Sequence, residues 1–432
     1  MVLVPELPTR HYALRCRACN RTVEDDSFVL DCSALHEPAL LVADYQDQRF
    51  QPDRSSADLF RFRQWLPIAR RMEGSGAGVT YRGDRLARAA GLRELWISFN
   101  GWWPERGASL ATATFKELEA WTVLARLPRH PAGTLVLASA GNTAAAFARA
   151  CSITGVPCLI IVPELGLAHL RLPEERAPWV KLVVLGPPAD YTDAIALAGW
   201  LTEVDGYYPE GGVRNVARRA GLGTVLLDAV DTIGRLPDFY FRAVGSGAGA
   251  IGVFEAAERL VKDGRYGDRR PRLMLSQNRP FTPLYDSWRA GGRTPMRIDA
   301  DAARRCAAEL SAPVLSNREP PYAVQGGVYD VLRLSGGDML AVDNPAASRA
   351  RALFEDVEGI DIDPASAVAL ASLLQAAHDG RISSDATALL NVTGGGRERL
   401  RREVTLRDAH PDIRLAGSEL RRSVAVQRVG AL

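Results

Sequence analysis

Short apolar runs that alternate with helix-like stretches constrain the fold of this chain more than any other feature of its sequence. The run TLVLAS at 134–139 comes before an alanine-rich stretch that ends at a glycine, and the run PCLIIVP follows at 157–163. A strand, a helix and a second strand in this order form a βαβ unit, in which the two strands lie parallel. Because similar units recur almost to the C-terminus, we predict an α/β protein with parallel sheets and helices on both faces.

Length and composition exclude several classes of protein. A chain of 432 residues is too long for a single hydrophobic core, so at least two domains are expected. The net charge of +2 disfavours a nucleic-acid partner. No apolar run approaches the roughly 20 residues of a membrane span, and the N-terminus does not resemble a signal peptide. Six cysteines in a chain of this length do not make a disulfide framework, so we expect a cytoplasmic protein. The lack of a long apolar run predicts that it has no membrane partner.

Three segments follow predicted strands, at the place where α/β sheets bind ligands. The segment SAGNT at 139–143 could bind an anion at a helix start, but taken alone it is better explained as a tight turn with an Asn/Thr cap. The segment GSGAG at 245–249 is typical of a phosphate cradle. It lacks the ending of a P-loop, while a dinucleotide site stays possible. In the third segment, NVTGGG at 391–396, Thr393 offers a hydroxyl.

Lysine is nearly absent from this chain, which makes each lysine informative. Among 53 Lys+Arg, the lysines are Lys116, Lys181 and Lys262. Lys181 opens a predicted strand and Lys262 ends a predicted helix, so both are expected at the surface. Lys116 begins a predicted helix, where a positive charge is unfavourable unless it is neutralised. Because lysine can offer a free amine and arginine cannot, Lys116 is the candidate catalytic residue.

The order of these features resembles the fold type II pyridoxal-phosphate enzymes, which include the tryptophan synthase β-chain, cysteine synthase and threonine synthase. Within that group, WISFNGWWPERGASLATATFKELEA and EGIDIDPASAVALASL are similar to the cysteate synthase family. The resemblance implies a large domain from 46–120 and 210–432, a small α/β domain at 121–209 and a short zinc-ribbon-like segment at 1–45. It also implies pyridoxal phosphate as cofactor, a small amino-acid substrate and a homodimer or larger homo-oligomer.

The resemblance also implies roles for individual residues. Lys116 would form the Schiff base with the cofactor, Asn142 would contact its phenolic oxygen, and Thr393 would face its pyridine nitrogen. A hydroxyl at that nitrogen, in place of a carboxylate, favours β-elimination. The cofactor's phosphate would be held by Gly245, Ser246, Gly247, Ala248 and Gly249. The substrate carboxylate would be held, mostly through backbone N–H groups, by Ser139, Ala140, Gly141 and Thr143.

The implied reaction is a β-replacement on O-phospho-L-serine, with sulfite as the nucleophile and cysteate and phosphate as products. Lys116 would act as the general base at Cα. A doubly charged leaving group needs cationic donors, and we expect these to be Arg106 and Arg82. The motif TFKEL at 114–118 departs from the Ser-Phe-Lys-Asp-Arg pattern of threonine synthases. Replacement with water, sulfide or a specialised acceptor stays open, as does a cofactor-free binding protein.

The first forty residues are predicted to be loop-like, and they hold three of the six cysteines. Two cysteines with two residues between them are followed by a Cys–His pair. Together they supply four ligands at finger-like spacing, as tetrahedral zinc requires. The alternative is a reduced, vestigial knuckle in which the histidine belongs to the following loop. The candidate ligands of a structural zinc ion are Cys16, Cys19, Cys32 and His36.

Overall fold

The computed structural model describes residues 10–432 of the chain. The strands of this part are, in chain order, β1 (Tyr12–Cys16), β2 (Thr22–Val23), β3 (Leu41–Tyr45), β4 (Val79–Arg82), β5 (Glu94–Phe99), β6 (Trp102–Trp103), β7 (Ala108–Ser109), β8 (Thr134–Ala138), β9 (Cys158–Pro163), β10 (Arg171–Leu172), β11 (Val180–Leu185), β12 (Tyr207–Pro209), β13 (Phe239–Ala243), β14 (Arg272–Asn278), β15 (Asp338–Val342), β16 (Thr387–Val392), β17 (Arg407–Asp408) and β18 (Ile413–Leu415).

The α-helices of the same part are α1 (Asp84–Ala90), α2 (Lys116–Arg126), α3 (Asn142–Thr154), α4 (Glu164–Leu167), α5 (Tyr191–Leu201), α6 (Val216–Ile233), α7 (Ala248–Asp263), α8 (Pro283–Arg289), α9 (Ala300–Ala308), α10 (Val328–Ser335), α11 (Asn344–Glu358), α12 (Pro364–His378), α13 (Arg397–Glu403) and α14 (Arg422–Val429). Within residues 10–432, no helix combines the length and the apolar character needed to cross a bilayer.

Two sheets form the main body of the protein. The larger has the order β15-β14-β13-β16-β5-β4, and its neighbours are parallel except for the edge pair β4–β5. The smaller has the order β12-β8-β9-β11-β18 and is parallel throughout. Strands such as β9 and β16 are buried along their whole length, as expected where helices cover both faces of a sheet. The predicted α/β class with parallel sheets is confirmed.

The N-terminal segment is more regular than predicted. Strands β2, β1 and β3 form a small antiparallel sheet, so the expectation of a loop-like start is wrong for this part. In β1 the buried side chains of Tyr12, Leu14 and Cys16 alternate with less buried ones. That period of two is the signature of a half-buried strand, and the short length of the strand hid it.

The C-terminal segment crosses back to the smaller sheet. Strand β18 pairs with β11, and α14 packs against α5. Leu415, Ala425 and Val429 are buried with the apolar side chains of that sheet. The predicted division had placed this segment with the large domain, and the burial of these three side chains explains the difference. The other predicted domain boundaries stay a prediction.

Helix α2 lies between the two sheets. It packs against α3, which covers β9 and β11 of the smaller sheet, and against α6, which covers β4 and β5 of the larger one. The contact with α6 is close, since a Cβ on Gly221 would lie 2.3 Å from the carbonyl oxygen of Leu118. The packing therefore places the amino end of α2, where Lys116 lies, between the two sheets.

Candidate active site

Lys116 is the first residue of α2. Its Nζ donates a hydrogen bond to Oε2 of Glu119, one helical turn further on, over 3.0 Å. Only 21% of the lysine side chain is exposed. Burial lowers the pKa of Lys116 because it disfavours the charged ammonium, and the nearby cations Arg218 and Arg242 lower it further, against the effect of Glu119. The environment therefore favours the free amine that the sequence analysis required.

Glu119 links the lysine to two other parts of the chain. Its Oε1 accepts hydrogen bonds from Nη2 of Arg218 at 2.6 Å and from the hydroxyl of Thr143 at 2.9 Å. Burial alone would raise the pKa of this carboxyl, but the charges of Arg218 and Lys116 outweigh burial and lower the pKa to about 2. Glu119 is therefore an ionised, fully buried carboxylate that connects Lys116 with the predicted segment at 139–143.

The sequence analysis missed both Glu119 and Arg218. A carboxylate three residues after a helical lysine lies on the same face of the helix, and that spacing was a usable signal for Glu119. Arg218 lies 99 positions away in the chain and carries no comparable signal.

The segment at 139–143 joins β8 to α3. The hydroxyl oxygen of Ser139 accepts hydrogen bonds from the backbone N–H groups of Gly141 at 3.0 Å and Ala144 at 2.9 Å. The backbone of Gly141 has a φ of +140°, and a Cβ there would lie 2.7 Å from Cδ2 of His169. Ser139 thus caps the turn, while Ala140 and Gly141 lie at the amino end of α3, so the turn and the anion site remain compatible interpretations.

Asn142 and Arg397 meet between the two sheets. Asn142 is the first residue of α3, and its Oδ1 accepts a hydrogen bond from Nη2 of Arg397 at 3.0 Å. Arg397 also makes a two-bond ion pair with Asp363, from Nε to Oδ1 at 2.6 Å and from Nη2 to Oδ2 at 2.9 Å. The segment that follows NVTGGG therefore contacts the segment SAGNT directly.

Thr393 lies next to the lysine segment. It follows β16, and its carbonyl oxygen accepts a hydrogen bond from the backbone N–H of Phe115 at 3.0 Å. The backbone N–H of Gly395 donates to the carbonyl of Ala113 at 3.1 Å. The hydroxyl of Thr393 lies 3.4 Å from that of Ser366. The structure thus brings the third predicted segment beside Lys116.

The glycine-rich loop at 245–249 joins β13 to α7, as predicted. Gly247 has a φ of +79°, and a Cβ there would lie 2.3 Å from Cγ2 of Val328. At Gly249, a Cβ would lie 1.6 Å from Nη1 of Arg242. The guanidinium of Arg242 also lies over the ring of Phe115, at 4.6 Å from its centre, so the loop is close to the lysine segment. A glycine cradle with a cation beside it fits a phosphate group of the predicted cofactor.

A cavity of about 500 Å³ opens beside Asn142. His169 lies on its border, and burial lowers the pKa of this imidazole, with Arg397 acting in the same direction. Asn142 was predicted from the sequence, whereas none of the charged residues at the border was. The arginines that border the cavity are Arg171, Arg351, Arg397 and Arg401.

The structure does not place the two predicted anion-binding arginines at this cavity. Arg82 pairs with Asp84 at 2.8 Å, and 53% of its side chain is exposed. Arg106 is exposed, with its guanidinium over the rings of Tyr81 and Trp103 at 4.4 and 4.5 Å. Within residues 10–432, neither borders the cavity beside Asn142. Arg82 is held at the surface by its ion pair, and Arg106 is held there by stacking on aromatic rings. Arg397 is therefore the better candidate for binding the phosphate or sulfite anion.

The four residues of the predicted zinc site come together. Their ligand atoms all lie within 4.8 Å of one another, with Cys16 Sγ 3.3 Å from His36 Nε2 and Cys19 Sγ 3.8 Å from Cys32 Sγ. A hydrogen bond from the backbone of Arg21 contributes most to lowering the pKa of Cys19, to about 7. Thiolates at roughly 2.3 Å from a tetrahedral zinc ion stand roughly 3.8 Å apart, so the spacing and the donor set fit zinc.

Comparisons with known proteins agree with these observations. The family model described as "Pyridoxal-phosphate dependent enzyme" matches residues 106–394. The cysteate synthase of Methanosarcina acetivorans is 44% identical over 95% of this chain and 98% of its own length. That of Methanocella paludicola is 45% identical over 95% of both chains. That of Methanosphaerula palustris is 47% identical over 91% of this chain and 92% of its own length.

Solved structures show the same fold at low sequence identity. Maize serine racemase matches with a TM-score of 0.54 and 17% identity, over 74% of this chain and 89% of that one. The processed form of threonine deaminase isoform 2 from Solanum lycopersicum matches with a TM-score of 0.56 and 17% identity, over 76% of this chain and 87% of that one. The chain therefore belongs to the fold type II pyridoxal-phosphate-dependent enzymes, and within them to the cysteate synthase family.

Proposed function

We propose that this chain catalyses the β-replacement of the phosphate of O-phospho-L-serine by sulfite, which gives L-cysteate and phosphate. The Cβ–O bond to phosphate breaks and a Cβ–S bond to sulfite forms, so the exchange needs no added oxidant or reductant. The observation that carries the proposal is the largely buried Lys116, whose amine is hydrogen-bonded to Glu119 and whose neighbour Phe115 lies under Arg242 at the glycine loop. Membership of the cysteate synthase family supports the choice of product.

We assign the cofactor contacts to the residues that the structure gathers around Lys116. Lys116 would hold pyridoxal phosphate through Nζ, Asn142 would contact its phenolic oxygen, and Thr393 its pyridine nitrogen. The loop at 245–249 would hold its phosphate at the amino end of α7. When bound, pyridoxal phosphate supplies an electron sink for the negative charge that develops at Cα of the substrate.

Lys116 is also the group that moves the proton. Its Nζ would take the proton from Cα of the substrate and return a proton to Cα of the product. Burial lowers the pKa of Lys116, which increases the fraction of free amine that can accept a proton. The hydrogen bond to Glu119 holds Nζ in place between these two transfers. The pair therefore supplies both the base and its orientation.

The substrate carries a carboxylate and a phosphate, and we assign each to a separate group of residues. The segment at 139–143 would bind the carboxylate at the amino end of α3. Arg397 would bind the departing phosphate or the entering sulfite, because its guanidinium borders the cavity and already contacts Asn142. The planar fork of an arginine matches the oxygens of either anion.

We further propose that Cys16, Cys19, Cys32 and His36 hold a structural zinc ion. With four protein ligands the site would be closed, since no coordination position remains for a reacting water molecule. A homodimer or larger homo-oligomer and a cytoplasmic location also belong to this proposal. None of the six cysteines, all within residues 10–432, forms a disulfide, which is expected in a reducing compartment. Light scattering would give the oligomeric state.

The test is to incubate the purified, cofactor-loaded protein with O-phospho-L-serine and with sulfite, sulfide or neither. We expect phosphate release that depends on sulfite and an equal amount of cysteate by mass spectrometry. Phosphate release at the same rate with sulfide or with water alone would contradict sulfite as the nucleophile. It would favour the cysteine synthase-like or threonine synthase-like alternative. A fully loaded protein that leaves phosphoserine unchanged would contradict the proposed reaction as a whole.

A further inference from the structure

Arg242, the fourth residue of β13, is a buried cation with unused hydrogen-bond donors. Only 6% of the residue is exposed. Its Nε and Nη1 have no hydrogen-bond partner within residues 10–432, although the guanidinium also contacts the hydroxyl of Tyr240. Buried polar groups in native proteins nearly always have partners, and an unpaired buried charge is costly. The position therefore calls for an anionic partner that is not part of the chain.

One of the unused donors, Nη1, lies at the glycine cradle. A Cβ on Gly249 would lie 1.6 Å from Nη1 and 2.4 Å from Cζ of Arg242, so the guanidinium rests directly on the first turn of α7. The amino end of a helix carries partial positive charge and attracts anions. A cation held there is repelled by the 16-residue helix α7 unless an anion lies between them. The geometry thus places two positive groups around the same small space.

The charges around Lys116 lead to the same conclusion. Arg218 and Arg242 are both cations beside Lys116, and the carboxylates that contact Lys116 and Arg218 belong to Glu119 and Glu210. Glu119 pairs with Lys116 and Arg218, and Glu210 pairs with Arg218 at 3.1 Å. Both carboxylates are therefore engaged, and Arg242 is the cation left over. A doubly charged phosphate at the cradle would balance it.

We propose that Arg242 binds the phosphate group of the cofactor through Nη1, the unpartnered nitrogen that lies against Gly249, as a charged addition to the backbone donors of the loop at 245–249. A hydrogen bond from a guanidinium to a phosphate oxygen is charge-assisted, which makes it stronger than a hydrogen bond between neutral groups. This inference rests on the proposed function only in placing pyridoxal phosphate at Lys116. It adds a phosphate ligand from outside the loop, and it gives the strand β13 a part in cofactor affinity.

The test compares the affinity of the full-length apoprotein for pyridoxal phosphate and for pyridoxal, which lacks the phosphate. We expect Arg242→Met to weaken binding of pyridoxal phosphate by roughly ten- to a hundredfold, the size of one charged hydrogen-bond contact, and to leave binding of pyridoxal unchanged. Arg242→Lys should recover part of the loss. Arg259→Met is the matched control, because Arg259 is also buried on α7 with unpartnered nitrogens but contacts the rings of Tyr45 and Trp65.

Equal losses for both ligands would show a structural role and overturn the proposal. An unchanged affinity for pyridoxal phosphate, combined with a higher KM for O-phospho-L-serine, would also overturn it by assigning Arg242 to the substrate. Because both titrations measure cofactor binding alone, their outcome is independent of whether the wild-type protein makes cysteate. Failure of this inference is therefore distinguishable from failure of the proposed reaction.

Discussion

The Cys/His cluster near the N-terminus and the centre around Lys116 are built in opposite ways. The cluster draws its four groups from 16–36, and two of them are Cys19, which is exposed, and Cys32, which is half-buried. The centre draws its groups from α2, α3, α6 and the segments after β13 and β16, and Glu119 at its middle is fully buried. Local spacing is sufficient to assemble the first, whereas the second exists only when both sheets have formed and packed on α2.

One buried ion pair joins the two regions. Asp25 lies between Cys19 and Cys32 in the sequence, and its carboxylate accepts hydrogen bonds from Nε and Nη2 of Arg126 at 3.0 and 2.8 Å. Arg126 is the last residue of the helix that begins with Lys116. Burial alone would raise the pKa of Asp25, but the hydrogen bonds and charge of Arg126 lower it overall. The N-terminal segment is thus anchored to α2 by a group that is not a metal ligand.

The largest effect should come from Lys116→Ala, which removes the proposed base. We expect turnover to fall by about a thousandfold or more, within the range of losses seen for catalytic acids and bases. The zinc content should not change, because the cluster shares no residue with the centre. Steady-state rates and metal analysis check this, with Lys262→Ala, an exposed lysine at the end of α7, as the control. Activity close to wild type in the Lys116 variant would refute the assignment.

The next largest effect should come from Asp25→Asn, which leaves Arg126 buried without its anion. We expect a loss of about 3–5 kcal/mol in the free energy of unfolding, measured with urea. The control is Asp31→Asn, because Asp31 and Arg214 form an exposed pair worth about 0–1 kcal/mol.

The same ion pair has a predictable pH dependence. The folded-state pKa of Asp25 is lowered, so its contribution is present above the unfolded value of about 3.9 and is lost as the pH falls through the folded value. The difference between the wild type and Asp25→Asn should therefore be full at neutral pH and shrink below about pH 4. A difference that stays constant into acid would mean that Asp25 is not stabilised as a carboxylate.

Arg397→Met should have a smaller effect, confined to the centre. Losing one charged contact should raise the KM for O-phospho-L-serine or for sulfite by roughly ten- to a hundredfold. Arg106→Met is the matched control, since Arg106 is exposed and stacks on Tyr81 and Trp103. If the control changed KM and Arg397→Met did not, the original choice of Arg106 from the sequence would be right.

The smallest effect on catalysis should come from Cys16→Ser. We expect zinc to fall from one equivalent per chain to a small fraction, because the buried Cys16 supplies one of the four proposed ligands. Cofactor loading and turnover should stay near wild type while the Asp25–Arg126 pair holds the segment on α2. Metal analysis and the cofactor's absorbance check this together. Wild-type protein that binds no zinc would contradict the proposed metal site. Loss of the cofactor from Cys16→Ser would show that the two regions are coupled.

The elements with strong local patterns were predictable from the sequence. The βαβ units, the helix that begins at Lys116, and the glycine loop at 245–249 all lie where the periodicity and the glycines predicted them. The Cys/His cluster came from spacing alone, since its members are neighbours along the chain. In each case the information lies within a few residues, and short-range geometry is enough to express it.

The arginines were not predictable in this way. Arginine is abundant throughout the chain, and nothing local distinguishes Arg242, Arg218 and Arg397 from Arg82 and Arg106. What separates them is whether packing removes water from the guanidinium and which carboxylate, if any, then lies beside it. That depends on residues as far apart as Glu119 and Arg218, 99 positions along the chain. The sequence by itself determined the fold class and indicated the candidate lysine and the candidate metal ligands. Only the tertiary structure decided which cations are buried at the site, because desolvation is a property of the packed molecule.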